Sequence, residues 1–205
     1  MLAMTPQTFV FIGRSGCGKG TQVELLKKYL EEKGGLPVFF LENGQRFRDF
    51  AKREGNYTSD ISRDTTLRGG LQPAFLAVHF WASGLIEGAK KDEHWMFDGI
   101  CRRPDEAPMF AEALKFYGRE GDNVHVVYVN VGKEWAIDKL LKRGRGDDTR
   151  ESIEKRMGWF DRDVVPALEF LKKDSGFHYC DINGEQTVEQ VHAEIMKLLG
   201  YGSDN

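Results

Sequence analysis

The chain has 205 residues, 40% of them hydrophobic and 30% charged, with a formal net charge of −3. That length suits one domain with a real core, and the apolar fraction excludes a disordered or collagen-like chain. The slightly acidic balance excludes bulk polycation behaviour, so neither nucleic acid nor an acidic membrane is an expected partner, and any anion site must come from a local cluster.

Residues 8–12, Thr-Phe-Val-Phe-Ile, form a continuously apolar, β-branched and aromatic run, as a strand buried on both faces would. A glycine-rich turn follows. Over 19–32 the pattern becomes helical, with Val23, Leu26 and Leu30 on one face. A strand over 38–41 precedes a polar, basic helix over 46–54, and 71–89 carries a long helical pattern after Pro73. Trp95-Met96-Phe97 makes a third strand, stopped by Asp98-Gly99. Then come a helix over 104–116, a strand over 125–131, a helix over 134–142, a polar loop over 143–148 and a helix over 152–172. A strand over 177–182 and a helix over 188–199 close the chain.

This alternation with short connections predicts parallel pairing and crossover helices on both faces of the sheet. The expected architecture is a three-layer α/β domain around a five-stranded parallel sheet, one domain over 1–205. Two polar excursions interrupt it, 43–72 and 142–151, and such excursions are where an α/β protein keeps moving parts. No apolar run approaches the roughly 18 residues of a membrane span. The opening Met1-Leu2-Ala3-Met4-Thr5-Pro6 lacks the order of a signal peptide, so a cytoplasmic protein is expected. Cys17, Cys101 and Cys180 lie far apart, and no cysteine or histidine pair has metal-ligand spacing, which excludes a disulfide framework and a zinc site.

The first strand runs into Gly13-Arg14-Ser15-Gly16-Cys17-Gly18-Lys19-Gly20-Thr21, and a helix follows. Glycines let the backbone turn tightly and bring its N–H groups around phosphate oxygens, and the helix N-terminus adds partial positive charge. Lys19 supplies a point charge to the β- and γ-phosphates. One detail departs from the general pattern: Gly20 stands where Ser or Thr usually follows the lysine, and Thr21 comes one later.

Gly18-Lys19-Gly20-Thr21-Gln22 resembles the loop of the adenylate kinase family of nucleoside monophosphate kinases. Asp98-Gly99-Ile100-Cys101-Arg102 resembles that family's Asp-Gly-Phe-Pro-Arg, with Ile100 and Cys101 in place of Phe-Pro. Asn43-Gly44-Gln45-Arg46-Phe47-Arg48 is similar to its Thr-Gly-Asp-x-x-Arg segment, and Gly69-Gly70-Leu71-Gln72-Pro73 to the end of its monophosphate-binding insertion. Arg143, Gly144-Arg145-Gly146-Asp147-Asp148 and Arg156 resemble a short lid, without room for a zinc-binding hairpin. Asn183-Gly184-Glu185 and the last helix resemble the family's C-terminus, so the resemblance spans nearly the whole chain.

The resemblance implies a P-loop nucleoside-phosphate kinase fold and Mg²⁺-dependent transfer from ATP to AMP, by a monomer. GMP, UMP or CMP kinases share the pattern, and a P-loop module without an acceptor site is the rival of a different class. It places Gly16, Cys17, Gly18, Lys19, Gly20, Thr21, Lys139, Arg143 and Gln186 against ATP. It places Asn43, Gly44, Arg48, Gly70, Leu71, Gln72, Gly99, Arg102 and Glu106 against the monophosphate. Lys19, Arg102, Arg143, Arg145 and Arg156 become the catalytic cations, and Asp98 and Thr21 the Mg²⁺ positions, reached through water. Such chemistry asks for positioning and charge stabilisation, and arginine suits it because its fork holds phosphate oxygens bidentately.

Without the resemblance, the cations over 139–156 read as a solvated helix face paired with Asp147, Asp148, Glu151 and Glu154, and Asp98 as a turn-former. Lys139 stands where the family often has an arginine stacked on the donor base. Glu106 stands where it usually has a glutamine, and is expected to contact the acceptor base. A carboxylate there suits guanine's N1–H and N2–H₂ better than adenine's N1. The alternative is that Glu106 caps a helix beside Asp105.

Overall fold

A computed structural model describes residues 5–33, 35–146, 148–173 and 175–201. Asp147, part of the lid pattern, and Met1-Leu2-Ala3-Met4 lie outside the described residues. The strands are Thr8–Ile12 (β1), Val38–Glu42 (β2), His94–Asp98 (β3), Val124–Asn130 (β4) and His178–Asn183 (β5), as predicted to within two residues. They form one five-stranded sheet among the described residues, in the order β2-β3-β1-β4-β5, with every pairing parallel.

β1 is central, and strands on both sides leave none of its five residues exposed. Its alternation splits the core. Phe9 and Phe11 join Val23, Leu26 and Leu30 of Lys19–Lys33 (α1) and Val191 and Ile195 of Val188–Leu198 (α9). Val10 and Ile12 face Trp81 and Leu85 of Ala74–Gly88 (α4), and Phe110 and Leu114 of Glu106–Phe116 (α5). From β1 the chain crosses to the edge strand β2, returns through β3 beside β1, and then builds outward on the other side through β4 and β5, so a crevice opens at the carboxyl end of β1.

The excursions differ from expectation. The polar helix is Asn43–Ala51 (α2), three residues earlier than its charge pattern predicts, because Asn43 is buried against α4. A second helix, Tyr57–Leu67 (α3), was not expected: Tyr-Thr-Ser-Asp-Ile-Ser-Arg-Asp-Thr-Thr-Leu is poor in helix formers. Asn56 caps it by accepting from Ser59 N at 2.9 Å, and Ser59 and Ser62 bury its inner face. α4 starts only after Pro73, leaving Leu71 and Gln72 outside the helix. Lys133–Arg143 (α6) follows β4. The helix expected over 152–172 is three pieces: Arg150–Trp159 (α7), a π-helical turn Phe160–Val164, and Val165–Lys173 (α8). Pro166 explains the break, since it brings no N–H to the carbonyl of Arg162 and the ladder widens there.

Candidate active site

The loop after β1 closes on α6. Gly16 has φ +90° and Gly18 φ +87°, and a Cβ on Gly16 would stand 2.6 Å from the Ala136 carbonyl oxygen, so both left-handed backbone and absence of a side chain are required. Cys17 is buried, and burial raises its thiol pKa. No acidic side chain occupies the first turn of α1, so the helix's positive end remains free for an anion. Lys19 Nζ stands 3.4 Å from Asp98 Oδ1 across the β1–β3 boundary, and that oxygen has no hydrogen-bond partner. Arg14 turns away, bonding Asp161 at 2.5 Å over the Phe160 ring.

The lid arginines converge on one carboxylate. Arg143 donates from Nε and Nη2 to the two Asp148 oxygens at 2.9 and 2.8 Å. Arg156 Nη1 donates to Oδ1 at 3.0 Å and the Arg145 backbone N–H to Oδ2 at 3.2 Å. The Asp148 side chain has no exposed surface. Burial opposes its ionisation, but Arg143, the Arg145 N–H and Arg156 outweigh that and hold its carboxyl below the usual range. Thr149 caps α7 by accepting from Ser152 N, which sets the helix so that Arg156 faces inward.

The opposite wall is built from side chains on several elements. Arg48 is held by Glu42 at 2.6 Å and Gln45 at 2.8 Å. Burial lowers the Arg102 pKa; Asp98 and Glu106 support its charge, while Arg156 and Arg48 press on it as like charges. Three guanidiniums far apart in sequence thus share one field. Gly99 adopts φ +77°, and Cys101, not a glycine, adopts φ +52°, a strained conformation for its residue type. Glu106 over-determines that turn: its Oε1 accepts from Cys101 N and its Oε2 from Arg102 N, both at 2.9 Å. Burial raises its pKa against the pull of those N–H groups and of Arg102.

These elements enclose a cavity of about 940 Å³. It is lined by every residue expected in the site except Gln186. Gln186 stands outside that lining: its amide donates to Asn183 O and Glu194 Oε2, both at 2.9 Å, within the β5–α9 connection. Lys139 lines the cavity, with its ammonium 4.7 Å from the Trp135 ring centroid. Glu106 also lines it, with one backbone N–H already engaged by each of its oxygens.

Three contributors were missed. Asp148 was read as a surface partner, though it lies between two guanidinium forks. Arg103 donates to the carbonyls of Gln72 and Leu71, tying the end of the insertion to the turn after β3. Trp159 donates to Gly69 O at 3.0 Å, and its ring centroid lies 5.9 Å from the Arg102 guanidinium. No sequence signal marks the last two, because their partners are main-chain atoms distant in sequence. Among the described residues no three His, Cys, Asp or Glu side chains could hold one metal ion, and no helix is long and apolar enough to cross a membrane.

The profile of the AAA domain family matches residues 12–154. Over 191 residues the chain is 30% identical to the adenylate kinase of Corynebacterium glutamicum (strain R), covering 93% of this chain and 98% of that protein. It is 28% identical to adenylate kinase 1 of Nostoc sp. (strain PCC 7120), covering 93% of this chain and 97% of the relative. With the adenylate kinase of Prochlorococcus marinus (strain AS9601) it shares 27% identity at the same coverage.

Proposed function

The chain belongs to the adenylate kinase family and is an adenylate kinase-like phosphotransferase, a nucleoside monophosphate kinase; from that premise we propose that it transfers the γ-phosphoryl group of Mg²⁺-ATP to AMP. The observation that supports this is one cavity with cationic groups on two of its walls. The glycine loop and Lys19 form one, and Arg48 and Arg102 the other. A module that only binds or hydrolyses ATP needs the first wall alone.

The triphosphate lies along the loop, with its β- and γ-phosphates at Lys19 and the N-terminus of α1. The acceptor phosphate lies between Arg48 and Arg102. Arg143, Arg145 and Arg156 reach the transferring group from the lid side. No catalytic base is required, since the attacking atom is already a phosphate oxygen. The chain's own work is positioning and neutralisation of equatorial charge. Asp98 Oδ1, buried without a hydrogen-bond donor, and the Thr21 hydroxyl are hard oxygen donors that fit Mg²⁺, which when bound neutralises phosphate charge. Segments 43–72 and 142–151 close over the nucleotides and exclude water, so that transfer outpaces hydrolysis.

A coupled assay of the purified protein with ATP and AMP, GMP, CMP, UMP or no acceptor tests this. AMP-dependent ADP formation is expected. ATP turnover that is the same with and without acceptors overturns the reading.

A further inference from the structure

Glu106 gives one acceptor site of each oxygen to the backbone, and two amides on the same wall carry acceptor atoms that are not engaged at all. Asn43 is 1% exposed, and its Nδ2 donates to Ala77 O at 3.3 Å. A main-chain carbonyl can only accept, so the amide nitrogen must face it and the orientation is settled. Oδ1 is then left buried with no hydrogen-bond partner. Gln72 repeats the arrangement. Its Nε2 donates to Ser62 O at 2.8 Å and to Thr66 Oγ1 at 2.9 Å, and Oε1 is left buried and unpartnered.

Both residues line the cavity, one against the first turn of α4 and the other just ahead of it. Buried carbonyl oxygens without donors are uncommon, because each forfeits its hydrogen bonds to water. Two of them on one wall ask for a ligand with two N–H groups. On a nucleoside monophosphate, the group that offers two donors from one atom is an exocyclic amino group. Ribose hydroxyls offer one each and are the competing explanation.

We propose that Asn43 Oδ1 and Gln72 Oε1 each accept one N–H of the acceptor purine's exocyclic amino group, which makes these two amides specificity-determining residues. The assignment rests on the reading of this wall as the monophosphate site. Adenine carries such a group at C6 and guanine at C2, whereas hypoxanthine and unsubstituted purine carry none.

The test compares AMP with purine riboside 5′-monophosphate, GMP with IMP, and AMP with 2′-deoxy-AMP, as kcat/KM on the wild-type protein. Loss of the amino group in at least one of the first two pairs is expected to lower kcat/KM about tenfold, mainly through KM. The 2′-deoxy analogue is expected to match AMP. The pair that responds says which purine position is read. In Asn43→Leu and Gln72→Met that discrimination is expected to shrink towards unity, a ratio that a general loss of stability does not move. Equal use of both members in both amino pairs overturns the assignment, as does discrimination confined to the deoxy analogue, or discrimination that persists in both variants. Phosphorylation of AMP together with any of those results rejects this assignment alone. Absence of phosphorylation with every acceptor rejects the kinase reading as well. The analogue comparison needs no variant, so a poorly folding substitution does not blunt it.

Discussion

The donor wall and the acceptor wall of the cavity both present cations to phosphate, but they are assembled differently. On the donor wall the glycine loop runs directly into α1, so sequence neighbours place Lys19 and the helix N-terminus together. The lid adds a compact set in which Arg143, Arg145 and Arg156 converge on Asp148 within one short stretch. On the acceptor wall Arg48, Gln72, Arg102 and Glu106 come from α2, the approach to α4, the turn after β3 and the start of α5. Local geometry suffices for the first wall. The second depends on how separate elements pack, and it holds the strained Cys101 and the unpaired amide oxygens.

The largest test removes one cation from each wall. Lys19→Met and Arg102→Ala should each depress turnover by orders of magnitude, about 3 kcal/mol or more of transition-state stabilisation, while melting temperatures stay near wild type. If either variant keeps a near wild-type rate in the coupled assay, its wall is not part of the reaction.

Asp148→Ala sharpens the contrast. It frees two guanidinium forks that the carboxylate aligns, and should lower kcat by about 10- to 100-fold, in keeping with roughly 1.5–3 kcal/mol for hydrogen bonds to charged groups. The KM for the monophosphate should stay unchanged. A rise in that KM with kcat intact would move Asp148's influence to the other wall.

Glu106→Gln probes the acceptor turn. An amide in place of the carboxylate sets an N–H against the Cys101 or Arg102 N–H, a mismatch worth about 1–3 kcal/mol. The expected outcome is a higher acceptor KM with an unchanged AMP/GMP ratio. A shifted ratio would restore Glu106 as the reader of the base.

The smallest effect on the site comes from acid. His125, at the opposite end of the sheet, has its pKa lowered to about 4 by burial and by His178, with Asp122 opposing. A folded pKa below the unfolded 6.5 means that its contribution is complete above pH 6.5 and is lost as pH falls towards 4. The loss amounts to at most about 3 kcal/mol. Thermal melts should fall across that window and flatten in His125→Asn. A wild-type melting temperature that stays constant from pH 6.5 to 4 would exclude the titration.

The two walls also differ in how far they could be read in advance. The strand–loop–helix at Gly13 to Thr21 and Asp98-Gly99 at the end of β3 announce themselves, because a turn that needs left-handed glycines leaves them in the sequence. Gln186 could not be placed, since a side-chain amide with Asn183 O and Glu194 within reach follows those partners. Asp148 looked like one acid among several until α7, capped at Thr149, brought Arg156 round to meet Arg143.

Strand spacing, parallel pairing and the phosphate loop follow from the sequence by itself, since hydrophobic period and glycine placement act over a few residues, whereas the order of strands about β1 came from the packed sheet. Which base-facing atoms stay unpaired, and which acid is tied to backbone, was decided only when α2, α4 and the turn after β3 came together. Hydrogen-bond partners at that distance are chosen by packing, and a side chain's chemistry is whatever its partners leave over.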